Sequence, residues 1–414
     1  MATFGRGKLA LERLKTKRDE ERELRSVQVR RDLAATKRKP FPIEPIRRFQ
    51  NHYPSFRDPT EIGHFSLDAD RRVHCDARFL KVYTPPNDPR KTNFNLRKGY
   101  KDFIDKDDDE KDRLNSLTTW MLNMLNKRNV ISSRPTESRE TSGAEGKKNY
   151  KGQMERLNAD FVTSRGHMTK FLRTPYENRE GWAMAVTLFR GTYYISEVET
   201  EEKRRLREAM SEKEKEMTFW GYKFEQYVTS DDGKTASVDT SKPVNCNEAF
   251  CCVVQTKLGS HSLIYNGEVD CKINRPGAEP PANYVELKTS RKWYTDNNER
   301  NFYRYKLLKW WAQSYLLGVP EVVCGFRDDD GVVRHLKSFR TSDMPRSARG
   351  AWDGAVCCNF ADQLLSYVKE IVKIDNPRVV YMLERAPGSS EVTCVLHEDG
   401  TEQFLTEEFI SAFS

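Results

Sequence analysis

The sequence predicts one large mixed α+β domain, and three observations point to it. The chain has 414 residues, long enough for a single globule to bury roughly 75% of its unfolded surface without disulfides or structural metal. Hydrophobic residues make up 37% and charged residues 32%, a soluble composition. Many short strand-like runs alternate with a few long helical ones, with no internal repeat. No apolar run approaches the ~18 residues that a membrane helix needs. The basic N-terminus lacks the apolar stretch of a secretory signal. Nine cysteines include the adjacent pairs Cys251-Cys252 and Cys357-Cys358 but no Cys-x-x-Cys. That pattern argues against a disulfide framework or a zinc site and for a reducing compartment.

Residues 1–40 hold 13 basic and 6 acidic residues and form a basic charged arm, helical or disordered. The body carries almost none of the net charge of +8, so a nucleic-acid site there must be a local groove rather than a general positive field. Leu9, Leu14, Leu24, Val27 and Leu33 keep no clean heptad, which disfavours a coiled coil. Lys37-Arg38-Lys39-Pro40 resembles a short import signal, and the expected location is the nucleus, with the cytoplasm as the alternative. From Phe41, prolines mixed with aromatics predict an extended segment lying on a core, followed by a strand at 76–82. Asp107-Asp108-Asp109-Glu110 reads as a solvated helix start rather than a calcium loop. Residues 113–128 are helical, with Leu114, Leu117, Met121, Leu122 and Leu125 on one side. Residues 132–152 are rich in Ser, Gly, Glu and Lys and read as mobile.

Strands are expected at 161–163, 183–188 and 193–195. A charged helix follows at 199–217. Further strands are expected at 219–228, 249–257, 261–273 and 283–290, the last two joined by a Pro-rich loop. Residues 300–317 form a helix stopped by Gly318, with Pro320 beyond it. Strands at 321–327 and 332–339 flank the Asp330-Gly331 turn. A helix at 357–374 and strands at 379–384 and 391–396 complete the chain.

Three acidic clusters fall on predicted strands: Gly221-Tyr222-Lys223-Phe224-Glu225, Glu268-Val269-Asp270 and Glu286-Leu287-Lys288. Strand residues two apart share a face. Glu268 and Asp270 therefore project together, as do Glu286 and Lys288, while Val269 and Leu287 point the other way. If these strands are neighbours, several carboxylates and one ammonium converge. Like charges do not converge without a counter-charge, and oxygen-only ligands favour hard cations such as Mg²⁺ or Mn²⁺. Two such ions can activate a water and stabilise a leaving phosphate oxygen. Either pattern alone arises readily by chance on a half-exposed strand; the order of all three is what carries the reading. An Asp followed by Glu-x-Lys on the next strand is also the core signature of the PD-(D/E)xK nucleases.

The full set resembles the DXO family of decapping enzymes and 5′–3′ exoribonucleases, and leans toward its fungal branch. The resemblance rests on Arg165-Gly166-His167 with Thr174-Pro175-Tyr176, the run ending at Glu225, Glu268-Val269-Asp270, Glu286-Leu287-Lys288, Lys309-Trp310-Trp311-Ala312-Gln313-Ser314, and Gly325-Phe326-Arg327. It implies a catalytic domain over 41–414, with two central mixed β-sheets flanked by helices around a PD-(D/E)xK nuclease-like core. It also implies two divalent ions, Mg²⁺ or Mn²⁺, held by Glu225, Asp270, Glu286 and the Leu287 carbonyl, with Glu268 acting through water or orienting the nucleophile. Lys288 and Gln313 would hold the attacking water and the scissile phosphate, and Arg165 a phosphate of the RNA 5′ end. Trp310 and Trp311 are expected in the core; Arg327 is left without an assigned role, a strand-end salt bridge being its ordinary reading. The implied substrates are RNAs with a 5′-triphosphate, an unmethylated cap or an NAD-type cap. The alternative role is a non-catalytic stabilising partner of a nuclear XRN-type exoribonuclease; a DNA nuclease is a third reading.

Overall fold

The computed structural model describes residues 39–50, 52–106, 112–126 and 157–413. The predicted arm lies almost wholly outside them, as do Asp107-Asp108-Asp109-Glu110 and the segment 132–152. The chain builds two mixed sheets. In spatial order, the larger contains Phe41–Pro42, Glu391–His397, Val380–Arg385, Trp182–Phe189, Thr192–Val198, Phe161–Ser164, His261–Glu268, Ala249–Leu258, Phe56–Leu67 and Val73–His74. The smaller contains Phe94–Asn95, Val332–Arg340, Glu321–Arg327, Tyr284–Arg291, Cys271–Lys272, Val82–Tyr83 and Thr229–Ser230.

Helices cover both sheets because both faces are apolar. All eight residues of Trp182–Phe189 are buried, the pattern of a strand packed on two sides. On one side of the larger sheet lies the helix Gly354–Ile371. On the other lie Asn115–Asn126 and Glu407–Ala412, through Leu117, Trp120, Met121 and Phe409. The helix Leu307–Leu317 belongs to the core that joins the two sheets, packing Leu308 and Trp310 with Val322, Cys324 and Phe326 of the smaller sheet. Tyr265 of the larger sheet donates to the Leu316 carbonyl at 2.5 Å. Trp310 and Trp311 are core residues, as expected. Gly318, with φ of 72°, ends this helix in the left-handed conformation that glycine adopts at least cost.

Most predicted elements are present, with instructive differences. Residues 219–228 are helical, not a strand; they finish the helix Glu212–Val228, and the predicted helix 199–217 is broken into Glu201–Glu208 and the start of this one. The extended segment after Phe41 includes a twelve-residue strand, Phe56–Leu67, inside the larger sheet. Residues 76–82 are mostly irregular. The predicted strand 261–273 is interrupted: His261–Glu268 runs in the larger sheet and Cys271–Lys272 in the smaller. The helices Arg165–Arg173 and Glu407–Ala412 were not foreseen. Arg327 forms no ion pair among the described residues; its guanidinium sits over the Trp220 ring, 4.4 Å from the centroid.

Candidate active site

The interruption at Val269-Asp270 places the site. Gly267, immediately upstream, lies so close to its neighbours that an added Cβ would stand 2.7 Å from Leu317 Cδ1 and 3.1 Å from Arg165 Cβ. The larger-sheet strand thus presses against the Leu307–Leu317 helix and the start of the Arg165–Arg173 helix just before its acidic residues. After Asp270 the chain joins the smaller sheet, where Cys271 pairs antiparallel with Val285. The strands carrying Asp270 and Glu286 are therefore neighbours, as the motif spacing requires.

The side chains meet as the period-two argument anticipates. Val269 and Leu287 are buried in core clusters. The Lys288 ammonium lies 2.5 Å from Glu286 Oε1 and 3.8 Å from Asp270 Oδ2. The Leu287 backbone N–H donates to Asp270 Oδ2 at 2.6 Å. Arg165 Nη1 donates to Glu286 Oε2 at 3.4 Å, so Arg165 is engaged by the cluster itself. Glu225 reaches the group from the helix Glu212–Val228, whose Phe219, Trp220, Phe224 and Val228 pack on Val285, Leu287 and Val323. Glu225, Glu268 and Asp270 line one cleft of about 250 Å³, together with Tyr222.

The electrostatics show strain from like charges. Burial, then the Asp270 and Glu268 charges, push Glu225 well above the usual carboxylate range. Burial and Glu286 raise Asp270 to about 7, against the pull of Lys288. Burial opposes charge on Glu286, but Lys288 and Arg165 outweigh it and hold its carboxyl below its ordinary value. Four carboxylates thus face two cations. Among the described residues, no three Asp, Glu, His or Cys side chains are drawn into a closed ligand set. The donor chemistry nevertheless fits a divalent cation, because all the donors are hard oxygens and negative charge is left over.

Gln313 does not line the acidic cleft itself, although Lys309, one turn before it, lies near enough to Lys288 and Arg165 to feel their charge. Gln313 lines a second hollow of about 450 Å³ together with Lys309, the i, i+4 partner that the helical reading put on its face. Tyr222 went unnoticed in the sequence as a cleft residue. Read as a strand, residues 222 and 225 oppose each other; on a helix, three apart, they share a face.

A carboxylate cluster spread over adjoining strands, with Glu-x-Lys on the interior strand of a mixed sheet, defines a nuclease centre of the PD-(D/E)xK class. The chain belongs to the RAI1-like PD-(D/E)XK nuclease family, whose model matches residues 57–410. It is 41% identical over 374 residues to the decapping and exoribonuclease protein of Xenopus laevis, covering 88% of each chain. It is 34% identical over 389 residues to the decapping nuclease RAI1 of Emericella nidulans, covering 90% of this chain and 98% of the relative. Identity is therefore higher to the vertebrate sequence than to this fungal one, contrary to the expected lean toward the fungal branch. The crystal structure of Candida albicans Rai1 in complex with pU5-Mn²⁺ superposes with a TM-score of 0.74 at 22% identity, covering 91% of this chain and 98% of that one.

Proposed function

We propose that the chain hydrolyses a phosphate linkage at the 5′ end of RNA with divalent ions. The observation that carries this is the Lys288 ammonium shared between Glu286 and Asp270 at the seam of the two sheets. Glu225, Asp270, Glu286 and the Leu287 carbonyl would hold two Mg²⁺ or Mn²⁺ ions, with Glu268 acting through water. When bound, the ions supply an activated water and charge stabilisation for the leaving oxygen. The chain's own groups do the rest. Lys288 offsets charge developing on the phosphate and, with Gln313, holds it and the attacking water in place. Arg165, held by Glu286, adds a fixed positive charge beside the cluster and a contact for a 5′ phosphate.

The relatives' names support decapping and exoribonuclease activity on RNA, and the C. albicans structure pairs a Rai1 protein with pU5 and Mn²⁺. The candidate 5′ ends are triphosphate, unmethylated cap and NAD-type cap. A purely stabilising role beside an XRN-type exoribonuclease is disfavoured, because idle buried carboxylates would cost stability without return; a docking role can coexist with catalysis. Nuclear residence is part of this reading, resting on Lys37-Arg38-Lys39-Pro40, and imaging of a tagged chain tests it. The decisive assay offers the three RNAs to the purified protein with Mn²⁺ and weighs the products. Pyrophosphate, capped dinucleotide and mononucleotide mark three different cut positions. An inactive wild type rejects the enzyme reading. Full activity in Asp270→Ala rejects the assigned site.

A further inference from the structure

Of the four carboxylates, only Glu225 comes from a helix. Glu268 ends one strand, Glu286 sits within another, and Asp270 lies in the crossing between the sheets. Ladder hydrogen bonds hold strand residues in register. A helix laid on a sheet has no such register, so the height of Glu225 must be set by packing.

The strand Glu321–Arg327 supplies it. Val323, Gly325 and Arg327 share one face of this strand, and all three meet the helix Glu212–Val228. Val323 joins Phe219, Trp220, Phe224 and Val228 in one core cluster. Gly325 lies on an interior strand, paired on both sides. A Cβ there would stand 2.7 Å from Phe224 Cε2 and 3.0 Å from its Cδ2 and Cζ. Glycine weakens a strand interior, and close approach of another group is a reason to find it there. The ring of the residue just before Glu225 thus rests on bare backbone. The Arg327 guanidinium covers the Trp220 ring, upstream on the same helix. Downstream of Glu225, Tyr227 stacks on Phe94, ring centres 4.7 Å apart, and its hydroxyl donates to the Asn95 carbonyl at 3.2 Å. Phe94–Asn95 is paired in turn with Val332–Arg340, the next strand of the sheet. Phe326 faces the other way, into the core with Trp293 and Phe302. The sheet therefore grips the helix on both sides of Glu225.

Resting on the proposed function, we propose that Gly325 and Arg327 are positioning residues. They seat the helix at the height from which Glu225 reaches ions held by Asp270 and Glu286, and they touch neither substrate nor ion. Carbons in ordinary contact lie about 3.5–4.0 Å apart, so a methyl at 325 lifts the Phe224 ring, and the helix with it, by roughly 1 Å. Metal–ligand distances tolerate only about 0.2 Å.

The test titrates the metal-free full chain with Mn²⁺ by calorimetry, and measures kcat and KM on 5′-triphosphorylated RNA at saturating Mn²⁺. In Gly325→Ala, kcat should fall about 10²-fold, the cost of a ~1 Å misplacement, with KM nearly unchanged. The Mn²⁺ dissociation constant should rise about tenfold or more. Leu lacks the outer ring atoms that obstruct the new methyl, so Phe224→Leu added to Gly325→Ala should restore most of both losses. Simple loss of packing predicts the reverse, a deeper defect in the double variant, and that result overturns the proposal. Unchanged kcat and Mn²⁺ affinity in folded Gly325→Ala overturn it too. Should Gly325→Ala fail to fold, Arg327→Met decides: several-fold losses in kcat and Mn²⁺ affinity with KM held support the seat, and unchanged values reject it. If wild type binds Mn²⁺ but cleaves no RNA, the proposed function falls, and the Mn²⁺ affinities of the same variants judge the seat on their own.

Discussion

Glu225 and Glu286 are both acidic and both in the cluster, yet their surroundings oppose each other. Glu225 is crowded by burial and by Asp270 and Glu268, whereas Glu286 is bonded to Lys288 and Arg165. Each Glu→Gln change should lower kcat/KM by about 10²–10³-fold, the usual worth of one preorganised electrostatic group. Metal-free stability should move in opposite directions. Glu225→Gln removes repulsion and should raise the melting temperature, as is common when a strained active-site group is neutralised. Glu286→Gln leaves Lys288 and Arg165 poorly paired and should lower it. Calorimetry of the two variants without metal gives the sign of each; a fall for Glu225→Gln would contradict the repulsion. Glu268, Asp270, Glu286 and Lys288 were legible as a group because strand alternation is a local property. The position of Gln313, on the wall of a different hollow, depends on how a helix packs between two sheets and was not legible.

The helix Glu212–Val228 shows where local reading fails and what would have corrected it. Tyr222 and Phe224 alternate with polar residues, which mimics a half-buried strand. Ser211 and Glu214 form a capping box, with each side chain taking up the other's backbone N–H, and Ser-x-x-Glu is a visible helix start. Ser211→Ala should cost about 1 kcal/mol, read as a lower denaturant midpoint with an unchanged slope, and it should reduce activity only as far as Glu225 loses its footing. The helix Arg165–Arg173 carries a pH signature. His167 is buried, and its Nε2 accepts the Glu197 backbone N–H at 3.2 Å, a bond only the neutral ring makes. Burial pushes the ring down to about 4 from 6.5. The unfolded chain takes up that proton first, so the stability His167 confers is complete above about 6.5 and drains away as pH falls toward 4. Urea midpoints measured across this range should decline, and His167→Asn should flatten the decline.

Across the whole molecule, the mixed α+β class and most strands followed from alternation and turn residues. The order of strands in each sheet did not, because pairings such as Ala249–Leu258 with Phe56–Leu67 join residues nearly two hundred positions apart and leave no local trace. The same non-local geometry gives a measurable consequence. The acidic residues come from both sheets, so a bound ion stabilises the folded state alone, by about 2.7 kcal/mol at a hundred times its dissociation constant. Mn²⁺ should raise the melting temperature of wild type, and Asp270→Ala should abolish that rise; a rise preserved in the variant would place the ion elsewhere.

The chain leaves one sheet after Glu268 and enters the other at Cys271, so Glu268 rides on one slab of the protein and Glu286, on the strand paired with Cys271, on the other. An ion held by Glu286 and, through water, by Glu268 would be a rivet through that joint. Pulling it out should let the slabs rock, and the crossing at Val269-Asp270 would be the first backbone to exchange its amide protons faster. A chelator is then a mechanical reagent for this protein as well as a chemical one.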